Sequence, residues 1–302
     1  MALYLTNVAS LRAQGILNKT TRSLDTTYQR LATGLRINSA KDDAAGLQIA
    51  NRMTSQINGL KQANRNASDG IAVAQTIEGA LDEIANMLQK IRTLSIQAAN
   101  GVNTTADRIS INEEVRQYCE EITRISCSTT YGGAKILCGL ANSAGQSTLF
   151  NSKGEISLQV GPNSNNTVSI TGLDQGFSLS AIANMAGIAL GSGYNTDDGY
   201  ARFSMTTADN AQNTLSVIDR FINVIDTKRG SLGAIQNRLE SSIRLNENMY
   251  TNMSDARSRI MDTDYAEEAS NLASMSILQQ VAIAMMSRIN SNKNLILQLL
   301  SG

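Results

Sequence analysis

The sequence predicts a mainly α fold: long antiparallel helices forming coiled-coil and helical-bundle rods, with a small β-hairpin-containing central region. Three observations predict it. The 302 residues hold a single proline, where an average composition of about 5% would supply roughly fifteen. A chain so nearly free of the residue that breaks helices can run very long ones. Apolar residues recur in alternating steps of three and four over long stretches at both ends. Finally, 42% hydrophobic residues with only 4% aromatics is thin material for a thick core and suits narrow seams between helices.

The first helix is expected to run to about Thr33. Leu17, Leu24 and Leu31 stand seven apart, as do Thr21, Tyr28 and Leu35, which places them on one helix face. Gly34 is the expected stop. Ser39 to Asp42 reads as a capping box opening a second helix, with Asp42 and Asp43 in its first turn. That helix is expected over residues 40–100, its seam being Ala74, Ile77, Leu81, Ile84, Leu88 and Ile91, with Gly101 as its stop. Sixty residues make a rod of roughly 90 Å, which must bury its seam against other helices. A third helix starts near Thr104 or Thr105, with Asp107 in its first turn. It carries Ile111, Val115, Tyr118, Ile122 and Ile125, and ends by Gly132-Gly133.

From about Leu140 to Phe203 the chain is rich in Gly, Ser, Asn and Thr. GEISLQV and TVSI read as two strands around GPNSNN, and residues 174–202 read as irregular. Helix returns over residues 205–261 through Leu215, Ile218, Ile222, Ile225, Leu232, Ile235 and Leu239, a rhythm interrupted by Arg229. DTDYAEE (262–268) reads as a fresh start capped by Asp264. The last helix runs nearly to Leu300 through Leu272, Met275, Leu278, Val281, Met285 and Ile289. The expected division is terminal helices at 1–40 and 261–302, a long-helix rod from 41–140 and 203–260, and a hairpin-bearing surface region at 141–202.

Chemistry is sparse. The charge balance is 26 basic against 26 acidic residues, which argues against a nucleic-acid partner. The absence of His removes the commonest general base and metal ligand. Neighbouring acids such as Asp42-Asp43, Glu113-Glu114 and Glu267-Glu268 point about 100° apart on a helix and do not converge on a substrate. No catalytic, metal or cofactor residues are expected. Cys119 and Cys127 lie eight residues apart on one helix, a rise of about 12 Å, beyond the ~7 Å reach of a disulfide. With Cys138 they make an odd set, expected to stay as small buried thiols. The N-terminus lacks the pattern of a cleaved Sec-type leader. No apolar run approaches the ~20 residues that cross a bilayer, so no membrane partner is expected.

Four stretches carry a family resemblance. LATGLRINSAKDDAAGLQIANR (31–52) and NASDGIAVAQTIEGALDEI (66–84) are similar to the N-terminal signatures of bacterial flagellin. LGAIQNRLESSI (232–243) and ARSRIMDTDYAEEASNLASMSILQQ (256–280) are similar to its C-terminal pattern. The resemblance covers roughly 1–140 and 203–302. It implies a structural, non-enzymatic subunit that polymerises into the extracellular flagellar filament and serves motility. Implied too are terminal segments that order only on assembly, packing as coiled coils through Leu17, Leu24, Tyr28, Leu31, Leu272, Leu278 and Met285. Export would use the flagellar type III apparatus. The implied partners are further copies of the chain, an export chaperone, the filament cap and the hook–filament junction proteins. The alternatives are a minor flagellin or a hook–filament junction protein, or a ligand of an innate immune receptor as the main activity. The family is also read by Toll-like receptor 5. Its contact motif resembles LQKIRTL (88–94), which points to Gln89, Lys90, Leu94 and, on the next helix, Glu114. Lys90 stands where the motif has arginine. Flagellins usually lack cysteine, and this chain departs from them there.

Overall fold

The computed structural model describes residues 7–140, 147–188, 194–197 and 200–301. Among them are six helices and six short strands, in the order α1 (Val8–Thr33), α2 (Ala44–Ala99), α3 (Thr105–Ser128), β1 (Thr130–Tyr131), β2 (Ala134–Lys135), β3 (Ile156–Gln159), β4 (Thr167–Ile170), α4 (Leu179–Met185), β5 (Tyr194–Asp197), β6 (Tyr200–Phe203), α5 (Ala208–Met261) and α6 (Tyr265–Ser301). They form two compact units, Met1–Ile57 with Tyr250–Gly302 and Asn58–Met249. The terminal helices thus share a unit with residues 44–57 of α2 and 250–261 of α5.

Most helix ends follow from single residues. Asn7 caps α1 by accepting from Ser10 N, and Gly34 ends it at φ 72°, a left-handed conformation that costs glycine little. Thr104 and Asp107 form a reciprocal capping box at the start of α3. Asp264 Oδ1 accepts from Ala266 N at 2.8 Å and Glu267 N at 3.3 Å at the start of α6. The start of α2 differs from the expectation. Asp42 Oδ2 accepts from Asn38 N, Ser39 N and Ser39 Oγ at 2.8–3.1 Å and so closes a turn. Asp43 is the residue that caps α2, with Oδ1 accepting from Gly46 N at 2.8 Å. A carboxylate spent on the turn behind it leaves the orphan N–H groups to its neighbour.

The unit spanning Asn58–Met249 has one core. Ala74, Ile77, Leu81, Ile84, Leu88 and Ile91 of α2 are all fully buried, as their three-four spacing predicts. α3 adds Ile111, Val115, Cys119 and Ile122. On α5 the inward stripe is centred on Thr214, Val217, Ile218, Phe221 and Ile225, while Leu215 and Ile222 are half-buried. The Phe221 ring explains the offset: its centroid lies 5.1 Å from that of Phe203 and 6.0 Å from that of Tyr194. Arg229, which broke the apolar rhythm, reaches across to Asp82 Oδ1 of α2 at 2.8 Å. With Gln236 on Glu78 and Arg92 on Asp219, this sets α2 and α5 antiparallel.

The central region packs on this core. β3 pairs antiparallel with β4 from Ile156↔Ile170 to Gln159↔Thr167, as the hairpin signal predicts. The carbonyls at its tip find side-chain donors: Asn66 Nδ2 donates to Gln159 O at 3.0 Å, and Asn246 Nδ2 to Val160 O at 2.9 Å. Gly70 of α2 sits where any Cβ would collide with Leu158. The described residues within 174–202 are more regular than expected. Ser178 caps α4, and β5 pairs with β6 from Tyr194↔Phe203 to Asp197↔Tyr200. Strands of four residues carry too little alternation to register in sequence, and burial of Tyr194 and Phe203 stabilises them instead. Gly132 and Gly133, read as a helix stop, form the β1–β2 turn at φ 57° and 84°, the two positive values a tight hairpin needs.

Phe221→Ala should destabilise this unit by about 3–5 kcal/mol, because three facing rings leave a cavity that cannot collapse. Chemical denaturation followed by circular dichroism measures it. A loss below about 1 kcal/mol would show the trio to be loosely packed.

Candidate assembly surface

α1 and α6 pack against each other in the first unit. Their cross-links fix the direction: Ser10 Oγ to Asn290 Oδ1 at 3.2 Å, Gln279 Nε2 to Thr21 Oγ1 at 3.5 Å, Thr27 Oγ1 to Met275 Sδ at 3.9 Å, and Arg30 Nη1 to Glu268 Oε1 at 3.7 Å. One helix ascends as the other descends, so the pair is antiparallel. The turn joining α1 to α2 closes it. Leu35 bridges Asp262, Thr263 N donates to Gly34 O at 3.0 Å, and Arg36 Nη2 to Ile260 O at 2.7 Å. A Cβ on Gly34 would come within 2.8 Å of the Tyr265 hydroxyl.

The α1–α6 seam is narrow. On α1 the inward positions are Ser10, Ala13, Leu17, Thr20, Leu24, Thr27 and Leu31, of which only Leu24 and Thr27 are fully buried. On α6 they are Glu268, Leu272, Met275, Gln279, Ala282, Met286 and Ile289, of which only Glu268 is fully buried. Both series step by three and four, as a two-helix seam requires. Leu17, Leu24, Leu31 and Leu272 therefore lie on the seam. Tyr28, Leu278 and Met285 do not: they are 57%, 57% and 54% exposed. Leu272, Met275 and Ile289 of the expected stripe lie on the seam, while Leu278, Val281 and Met285 fall on a face beside it, because polar Glu268 and Gln279 hold the inward register by pairing with Arg30 and Thr21.

The outward faces are apolar. Val8, Leu11, Ile16 and Tyr28 on α1, and Ile277, Leu278, Val281, Ile283 and Met285 on α6, are all at least half exposed. Apolar side chains at this density on both helices of a pair mark an interaction surface. By length and mean composition alone, residues 265–291 of α6 would also suffice to cross a bilayer. That hydropathy is spread around the helix and broken by Ser274, Ser276, Gln279 and Gln280, so no continuous apolar run exists.

The paired carboxylates serve structure. Glu113 binds Arg116, which holds its carboxyl below the usual range. Glu268 faces Arg30, while Asp42 and Asp43 close the turn and cap described above. Of the receptor-motif residues, Gln89 and Lys90 are exposed on α2, and Leu94 is half-buried against the core. Glu114 is exposed on α3, accepting from the Tyr118 hydroxyl at 3.3 Å. The sequence gives no sign of the seam roles of Arg30, Glu268 and Gln279, since polar residues on a seam make no apolar period.

The bacterial flagellin N-terminal helical region matches residues 5–142, and the C-terminal helical region matches residues 215–300. The chain belongs to the bacterial flagellin family. It is 32% identical over 371 aligned positions to polar flagellin F of Vibrio parahaemolyticus serotype O3:K6, with 98% of each chain covered. It is 33% identical over 379 positions to polar flagellin C of the same strain, again covering 98% of each. Both alignments exceed the 302 residues of this chain, so these relatives carry extra residues within the aligned span. A flagellar hook-associated protein from Vibrio parahaemolyticus has a similar structure at 14% identity, with a TM-score of 0.56, covering 73% of this chain and 100% of that one. That likeness concerns the fold alone. Membership makes this flagellin a structural component of the flagellar filament, outside the cell, and not an enzyme.

Arg30→Met should leave the buried Glu268 carboxylate facing apolar groups, at a cost of about 1–3 kcal/mol. The concentration needed for polymerisation should rise about tenfold, each 1.4 kcal/mol being one decade. Adding Glu268→Gln should recover most of the loss. An unchanged threshold in the single variant would show the pair to be energetically silent.

Proposed function

We propose that this flagellin polymerises through the outward faces of α1 and α6, which pack as coiled coils against the same helices of neighbouring copies and so build the inner tube of the filament. The supporting observation is the apolar surface left on both sides of a narrow two-helix seam. Exposed apolar area is unfavourable by roughly 25 cal/mol per Å². Ordering terminal helices costs on the order of 1–2 kcal/mol per residue. In a lone subunit the two are comparable and the tips stay unpacked; neighbours on several sides tip the balance. An interface whose rotation does not close then propagates as an open helix. Leu17, Leu24, Leu31 and Leu272 join α1 to α6 within a subunit, whereas Tyr28, Leu278 and Met285 meet neighbours. The filament serves motility, and the chain reaches it through the flagellar type III apparatus. An export chaperone, the filament cap and the hook–filament junction proteins engage the same apolar helices in turn.

The test is seeded growth. A fragment of residues 40–260 retains the whole Asn58–Met249 core and should stay folded, yet fail to extend filament seeds that the full chain extends. Normal filaments from the fragment would overturn the mechanism.

Gln89, Lys90 and Glu114 are exposed, which supports a second activity as a ligand of Toll-like receptor 5. Lysine lacks the planar fork that makes bidentate contacts. Lys90→Arg should therefore raise reporter signalling several-fold, and unchanged signalling would remove this reading.

A further inference from the structure

We infer that Cys127 and Cys138 are a disulfide-forming pair, which closes a covalent staple between the end of α3 and the segment after β2 once the chain meets an oxidising solution. Cys138 Sγ lies 3.4 Å from Cys127 Sγ, and a bond at about 2.05 Å needs only a small movement. The backbones on both sides are already pinned. Ser126 Oγ donates to Leu137 O at 2.9 Å, buried, so the residues just before the two cysteines are locked in register. The Lys135 ammonium donates to the Cys127 carbonyl. Phe177 N donates to Leu137 O at 2.9 Å, and Leu140 N to Asp174 O at 2.8 Å, which hold the second strand of the staple from its other edge. Cys119 takes no part: it is 1% exposed in the core, and burial pushes its thiol up to about 12. The one pair that spacing along a single helix tests, Cys119 with Cys127, is not the pair the fold brings together.

The chemistry is thiol–disulfide exchange, with a low-molecular-weight disulfide as oxidant. Cys127 is half-buried and the more accessible of the two. Its thiolate attacks one sulfur of oxidised glutathione, forming a mixed disulfide and releasing one glutathione thiolate. The Cys138 thiolate then attacks the Cys127 sulfur and releases the second glutathione. Two electrons pass from the cysteines to the oxidant, and the two cysteine protons end on the two released thiols. Closure in the cell is expected only after the chain has left the reducing cytoplasm, so the biological role rests on the extracellular reading; formation of the bond does not.

The full-length chain is incubated natively with oxidised glutathione, quenched with an alkylating reagent, digested and mapped by mass spectrometry. The expected result is a peptide linking Cys127 to Cys138 in the wild type and in Cys119→Ser. In Cys138→Ser the linked peptide should be lost and Cys127 should carry glutathione. A wild-type chain that remains folded yet is glutathionylated at Cys127 without closing, or that links only between molecules, would overturn the pairing. The same samples are offered to filament seeds. Failure of both reduced and oxidised chains to grow would count against the filament reading while leaving the disulfide result intact.

Discussion

A seam too narrow for the apolar surface beside it governs this molecule. Among the described residues, α1 and α6 bury Leu24, Thr27 and Glu268 fully and little else, while ten large apolar side chains across the two helices stay at least half exposed. Widening the inward stripe would make a self-sufficient hairpin with nothing left to offer. Polar residues on the seam prevent that. Glu268 and Gln279 take Arg30 and Thr21 as partners and turn Ile277, Leu278, Val281 and Met285 outward. An ion pair contributes little net stability in such a place, but it is costly to break and therefore specifies register.

The second unit is built on the opposite plan. Its three long-helix segments bury a continuous apolar core, and small devices dock the central region onto it. Asn66 and Asn246 satisfy hairpin carbonyls that have no strand to pair with, and Gly70 removes the side chain that would hold Leu158 away. A unit with a core of its own needs no neighbour to bury its apolar residues. The Cys127–Cys138 contact lies within this unit, so its geometry does not depend on neighbours.

Legibility followed the range of the interaction. Gly34, Thr104 and Asp264 act within one turn of helix, and their roles are plain in the sequence. The α2 seam is legible because full burial on one side enforces a strict period. Asp42 and Asp43 were harder, since either carboxylate can cap and the choice depends on a turn of the backbone behind them. The α6 register was hidden because its inward stripe mixes Glu268 and Gln279 with aliphatics, so the apolar period leaves the seam after Met275 and meets it again only at Ile289. Tyr194, Phe203 and Phe221 meet across separate elements, as do Cys127 and Cys138, and no local pattern announces contacts made by the fold alone.

Hydrogen exchange on the subunit before and after assembly tests the central claim most directly. Amides of α1 and α6 should exchange rapidly in the lone subunit, since their seam is too thin to hold them, and become strongly protected in the filament. Amides of α2 around Ile77–Ile91 should be protected in both. Protection of α1 and α6 in the lone subunit equal to that of the α2 core would contradict the account, because the terminal helices would then need no neighbour to stay folded.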